Sequence, residues 1–328
     1  MEVWRHSRAA TAYTRPDYLA RLADEVEWWG VERSGEIVAA WPFVRAVSDS
    51  EIGPPPFCYY VGPLFRDKPR DTEYHRAWAQ YTDTLTVLVE AVVATYQRFR
   101  FSLPIGVDDV RVLQWWNFDH PHQSGFTVTP RYTARIELSA FHDDDALHHS
   151  FARTRRRDIN PWRTAPPAIA ERVPEERLME LYDATLQRSG GGIDPERHRA
   201  FRRVIALAES GAGTIMGVVP KGSTHVEAAI IVLDGRDESN GVFCAASPAW
   251  RDAGLTAWML WLGMLRARRI GKRWFDFNGA NSPRRAADKH FYGAHAALYF
   301  DCSFGQISQA GGRPPLIRPL GGQAPEPS

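Results

Sequence analysis

Helical and strand-like periods alternate along this chain, and that alternation restricts it to an α/β fold before any motif is weighed. Thr14 to Val26 place Tyr18, Leu19, Leu22 and Val26 on one helical face, with Thr14 as cap. Two strand-like runs flank Ser34-Gly35 and read as a hairpin ending at Phe43. Pro54-Pro55-Pro56 marks a loop, and the aromatic run Phe57 to Phe65 reads as a strand. Thr72 to Tyr96 is a long amphipathic helix whose buried stripe is Leu85, Leu88, Val89, Val92 and Val93. Strands are expected at 98–103 and 127–138, with a short helix over 108–116 between them. The order then recurs: helices at 174–188 and 195–210, a strand pair over 213–220 and 225–234, a strand at 241–247, a helix at 254–269, and strands at 272–278 and 298–304.

Between these halves the composition changes. Asp143, Asp144 and Asp145 precede Arg153, Arg155, Arg156 and Arg157, the charge order that complements a helix dipole. One helix is expected there, with a domain boundary just before it. The length of 328 residues suits two domains. The expected division is 1–140 and 141–305, followed by a Gly/Pro-rich flexible tail over 306–328.

The 40 Lys and Arg against 39 Asp and Glu exclude a polycation and an acidic-tail protein, but not a local basic patch. Arg far outnumbers Lys, so the charged surface is one of guanidinium groups, which suit carboxylate and phosphate. Cys58, Cys244 and Cys302 sit in apolar or aromatic surroundings and read as buried free thiols of a reducing compartment. Met1 to Arg8 has no apolar run of a signal peptide, and no segment approaches the ~20 apolar residues of a membrane span. The expectation is a cytoplasmic protein with no membrane span. His120-Pro121-His122 and His148-His149 lack Cys or carboxylate partners at ligand spacing, so no metal is expected. No Gly-x-Ser-x-Gly elbow is present.

Four segments carry candidate chemistry. Ser247 to Thr256 joins a strand to a helix and includes Arg251 and Gly254. Such a turn offers free N–H groups to a phosphate or carboxylate, or is only a turn. Asp276 alternates with Phe275 and Phe277 at a strand end, where an acid is either a structural partner or part of a site. Asp288-Lys289 lies among aromatic residues, and the lysine would neutralise a phosphate or oxyanion unless it is merely solvated. Arg153, Arg156 and Arg157 share a helical face, either a solvated helix end or a phosphate-binding one.

Taken together, these segments resemble the Fem-type branch of the GNAT acyltransferase superfamily. The resemblance rests on the run from Phe275-Asp276-Phe277-Asn278-Gly279 to Asp288-Lys289-His290-Phe291-Tyr292-Gly293. It also rests on the basic tract Ser150 to Ile159, on Thr185-Leu186-Gln187-Arg188-Ser189-Gly190, and on the opening helix and hairpin. It runs from about Trp4 to about Gly305. The sequence departs from the family pattern in having Asp288 before the lysine and Tyr292 as the second aromatic.

The resemblance implies two tandem GNAT-like domains, with mixed sheets flanked by helices and a cleft between them. It implies transfer of an aminoacyl group from aminoacyl-tRNA to an amine, on a peptidoglycan precursor or a small biosynthetic amine, without a tightly bound cofactor. Acyl-CoA is the alternative donor, because Arg251-Asp252-Ala253-Gly254-Leu255-Thr256 partly matches a pyrophosphate loop. A non-catalytic double-GNAT binding module is the third reading. The catalytic candidates are Lys289, Asp276 and Asp288. The substrate or phosphate ligands are expected among Arg153, Arg156, Arg157, Arg188, Arg251, Gly254 and Tyr292. Arg156, Arg157 and Arg188 are expected along one wall of the cleft, with Lys289 projecting nearby from a loop and Asp288 able to restrain it.

Overall fold

In a computed structural model the described residues are 2–23, 25–45, 52–66, 73–107, 109–120, 122–188, 190–192 and 194–305. The expected tail over 306–328 lies outside them. The chain opens with α1 (Glu2–Arg5), a 3-10 turn (Ala12–Thr14) and α2 (Pro16–Leu22). Thr14 is not the cap of α2. Its Oγ1 accepts from the Thr11 N–H at 2.9 Å and closes the preceding turn, while Pro16 starts the helix. The helix stops at Leu22, because the following residues pair as β1 (Glu25–Arg33) with β2 (Glu36–Arg45). Ser34 and Gly35 both have positive φ, 52° and 79°, which matches the twist of a two-residue hairpin turn.

Only Leu64–Phe65 of the expected aromatic strand is extended in a sheet, as β3. Phe57 and Tyr60 adopt φ of 64° and 54°, so the segment turns twice and packs its rings inward instead of pairing. The long helix α3 (Tyr74–Thr95), β4 (Phe99–Leu103), α4 (Arg111–Trp115) and β5 (Phe126–Glu137) follow. The acidic-to-basic tract forms two helices, not one: α5 (Asp144–His149) and α6 (Arg153–Thr164). Asp143 caps α5 by accepting from the Ala146 N–H at 2.6 Å, and the arginines belong to α6.

The remaining elements are β6 (Ala168–Ile169), α7 (Glu175–Arg188), α8 (Pro195–Leu207), β7 (Gly213–Val219), β8 (Ala228–Asp234), β9 (Glu238–Ala246), α9 (Leu255–Arg269), β10 (Trp274–Asp276), α10 (Pro283–His290) and β11 (His295–Phe304). A three-stranded sheet runs β1-β2-β3. A mixed eight-stranded sheet runs β4-β11-β5-β10-β9-β8-β7-β6, in which β9 and β10 are parallel. The same order of three antiparallel strands, long helix and strand appears twice, as β1-β2-β3-α3-β4 and as β7-β8-β9-α9-β10. The two repeats are not wholly separate sheets. β11 returns between β4 and β5, so the strands on both sides of residue 140 share one sheet.

β8 separates two cores. Ala229, Ile231 and Leu233 pack with α2, α7 and α8, while Ala228, Ile230 and Val232 pack with α9 and Ile159 of α6. A third core lies between β1, β2, α3 and β4, around Trp41 and Phe99. Burial on both faces explains why β8 reads as an unbroken apolar run.

Candidate active site

The parallel pairing of β9 with β10 lasts three residues, from Trp274 opposite Glu238 to Asp276 opposite Asn240, although β9 continues to Ala246. Beyond Asp276 the strands part. The chain turns away at Asn278 and Gly279, both at positive φ, leaving the C-terminal half of β9 without β10 beside it. Asn278 Nδ2 donates to the Gly241 carbonyl at 3.1 Å and closes the base of the gap.

Lys289 reaches this turn from α10, not from a loop. Its Nζ donates to the carbonyls of Asn278 and Gly279, so its charge is fixed where the strands separate. Behind the turn Asp276 is buried. It accepts from Thr133 Oγ1 at 2.6 Å and from the Asn278 N–H at 2.7 Å, with Tyr60 OH at 3.4 Å and Arg135 Nε at 3.8 Å. Burial pushes its carboxyl up, and Arg135, Thr133, the Asn278 N–H and Lys289 pull it back. Asp276 thus supports the turn that Lys289 clamps.

Asp288 does not pair with Lys289. Its carboxylate receives Arg155, which also binds Asp158 at 2.7 Å. Arg155 is the inward arginine of α6 and was not among the site residues expected from sequence. The 3-and-4 spacing selects Arg153, Arg156 and Arg157, of which Arg153 and Arg157 are exposed. Arg156 is half-buried, and its charge adds to that of Arg163 and His149 on His148. Burial, and then those cations, lower the His148 pKa to about 4.

Cys244, on the open side of β9, is near enough for the Asp288 charge to raise its thiol pKa further, after burial has raised it. Tyr292 is a core residue. It is 1% exposed and stacks on Phe277 at 5.4 Å, so its ring is unavailable to a ligand.

The expected phosphate seat is also occupied by the protein. The 3-10 turn Pro248–Ala253 leads into Gly254 at φ 78°, the N-cap of α9. A Cβ at Gly254 would lie 2.7 Å from the Asp158 carbonyl oxygen. Trp162 Nε1 donates to the Ala253 carbonyl at 2.8 Å. Helix α6 therefore crosses the start of α9 and brings Asp158 beside it, with Arg251 half-buried in the same turn. Arg188 ends α7, which packs on the opposite face of the sheet from α6. Arg156, Arg157 and Arg188 accordingly do not line one wall.

The space between the N-terminal segment and the sheet is instead a cavity of about 750 Å³ ringed by other arginines: Arg8, Arg135, Arg236 and Arg273. Thr11, Tyr60, Glu238, Asn240, Trp274 and Asp276 complete most of its lining. The alternation of β9 and β10 could have revealed this set, since Glu238, Asn240, Trp274 and Asp276 all share one face. Glu238 accepts from the Ala12 N–H at 2.9 Å, and burial pushes its carboxyl up to about 7. Among the described residues no group of three or more His, Cys, Asp or Glu converges as metal ligands. Among them, too, no helix is long and apolar enough to cross a membrane.

Residues 153–286 match the family model of the acetyltransferase (GNAT) domain, a span that begins at α6 and contains both parting strands. No curated protein matches the chain. Among solved structures the chain is similar to the crystal structure of FemX, with a TM-score of 0.67 and 14% identity over 92% of this chain and 94% of that one. It is also similar to the C-terminal domain (DUF2156) of a putative lysylphosphatidylglycerol synthetase from Agrobacterium fabrum, with TM-score 0.53 and 14% identity over 92% and 89% of the two chains. L-PGS from Bacillus licheniformis gives a TM-score of 0.51 and 12% identity over 87% and 85%. The repeated strand–helix order is thus that of two tandem GNAT-like units with a Fem-like fold, and it is the second unit that matches the acetyltransferase (GNAT) domain model.

Proposed function

We propose that this GNAT-fold acyltransferase moves an aminoacyl group from aminoacyl-tRNA to an amine acceptor by direct aminolysis. The observation that carries the reading is the gap where β9 and β10 part beyond Asp276, with the Lys289 ammonium fixed at its base. An extended acyl arm fits beside the open edge of β9, with its carbonyl near the lysine. The acceptor nitrogen attacks that carbonyl, the C–N bond forms, and the oxyanion of the tetrahedral intermediate develops beside Lys289. Collapse breaks the C–O ester bond, the ribose hydroxyl leaves with a proton, and the attacking nitrogen gives up a proton to solvent or to the leaving oxygen. Positioning supplies the rest of the acceleration. Asp276 holds the Asn278 turn and is a positioning residue, while Asp288 orients α6 through Arg155.

The α6 arrangement favours the tRNA ester over a CoA thioester. A pyrophosphate at the start of α9 would meet Asp158, whereas Arg153 and Arg157 on the outer surface of α6 suit a polynucleotide backbone. The acceptor is an amine on a cell-wall precursor or a small biosynthetic molecule, and charged tRNA places the reaction in the cytoplasm. The second reading, acyl-CoA as donor, is favoured by the Arg251 to Gly254 turn that opens α9. The experiment offers charged tRNA and acyl-CoA in parallel to a panel of amines. Product from charged tRNA that vanishes with RNase and falls steeply with salt supports the proposal. Transfer from CoA that is indifferent to RNase refutes it.

A further inference from the structure

The cavity beside the β9–β10 pair shares Asp276 with the base of the acyl gap, but no step of this reaction uses the space itself. It is framed by the N-terminal ends of the two strands and by Arg236, Asp237 and Arg273 just before them, whereas the acyl gap opens beyond their third pair of residues. Its volume, about 750 Å³, is in the ~300–1,000 Å³ range of small-molecule sites.

Its buried lining holds two unmet needs of opposite kind. Asn240 is 1% exposed, and its Oδ1 accepts no hydrogen bond. Arg135 Nε is buried and donates none. Such groups are rare in a packed protein, because each forfeits its hydration without replacement. Glu238 lies beside Asn240, with Nδ2 to Oε1 at 3.4 Å, and is 6% exposed. Arg135, whose charge reaches it, also faces Asp276 and lies over the Trp274 ring at 4.6 Å. An ammonium would donate to Asn240 Oδ1 and supply the counter-charge that Glu238 lacks. A carboxylate would accept from Arg135 Nε and from the arginine rim.

We propose that this cavity binds a small zwitterion of amino-acid or short-peptide type, its ammonium between Glu238 and Asn240 and its carboxylate toward Arg135 and the rim. The pocket is polar at both ends and walled by Tyr60 and Trp274, so a compact ligand with separated charges satisfies it better than an apolar one. The inference does not depend on the identity of the acyl donor.

The test is calorimetric titration of the full chain at pH 8 with L-alanyl-L-alanine, its N-acetyl derivative and its C-terminal amide. The dipeptide is expected to bind, and loss of either charge to weaken binding about tenfold or more, the scale of one charge-assisted contact. Glu238→Gln keeps the acceptor for the Ala12 N–H while removing the negative charge. It should weaken the dipeptide by a similar factor and leave the N-acetyl derivative unchanged. Equal binding of all three probes, or none by the dipeptide, overturns the proposal with no variant needed. Failure here leaves the RNase-sensitive transfer assay unaffected, so the two readings fall separately.

Discussion

Replacing Glu238 by Gln should make the protein more stable at pH 8 and leave it nearly unchanged at pH 4. In the fold this carboxyl is pushed up to about 7, from an ordinary value of 4.5, chiefly by burial. The native state therefore binds the proton more tightly than the unfolded chain. The stabilisation is complete below about 4.5 and is lost as pH rises through about 7. At about 1.4 kcal/mol per unit, the difference amounts to roughly 3 kcal/mol between pH 4 and pH 8. Gln cannot ionise, and its amide oxygen still accepts from the Ala12 N–H, so the substitution removes the pH-dependent cost with little change in shape. The assay is urea unfolding of both proteins at pH 4, 6 and 8. The difference between them isolates this group, since every other titration is common to both. A variant–wild-type difference that stays flat with pH would show that Glu238 is not held in a buried, proton-retaining environment.

Three further substitutions test the packing of the site. Gly254→Ala forces a side chain into a left-handed backbone and against the Asp158 carbonyl. It should cost about 2–4 kcal/mol of unfolding free energy, read from the urea midpoint, and an unchanged midpoint would deny that α6 abuts α9. Tyr292→Ala should cost about 3–5 kcal/mol as a core truncation, whereas Tyr292→Phe should leave acyl transfer unaltered, because the ring packs and does not bind substrate. Arg155→Met leaves Asp158 and Asp288 without their shared partner. It should lower stability by about 1–3 kcal/mol, an effect that Arg153→Met on the exposed surface of α6 should not reproduce.

Much of the fold was legible because it is locally encoded. The hairpin at Ser34-Gly35 follows from a turn dipeptide between alternating runs, and α3 and α9 follow from long stripes at helical spacing. What failed to show was set by contacts distant in sequence. The pairing of β11 with β4 and β5 joins strands of both halves in one sheet, and no local pattern announces a strand that returns across about 160 to 205 residues. Helix α10 is eight residues long, opens with Pro-Arg-Arg and lacks an apolar stripe, so its residues resemble a loop until Lys289 is seen clamping the Asn278 turn. The aromatic run at 57–65 has strand composition, yet ring packing of Phe57 and Tyr60 overrides it. For the site, Lys289 and Asp276 are close enough for the lysine's charge to act on the buried carboxyl. The arginines were harder to assign. Periodicity groups side chains on one helix face but does not say which face meets the rest of the protein, and the inward position belongs to Arg155.

The claim that acyl transfer occurs where β9 and β10 part is tested most directly by the single-turnover rate of Lys289→Ala with charged tRNA, measured beside its donor affinity and its urea midpoint. Loss of the contacts to the Asn278 and Gly279 carbonyls should cost about 1–2 kcal/mol of stability and leave a folded protein. With the ammonium gone from the base of the gap, the chemical step should slow by about 10²–10³ while donor binding stays within a few-fold. A folded variant that transfers the aminoacyl group at the wild-type rate would place the chemistry elsewhere in the molecule.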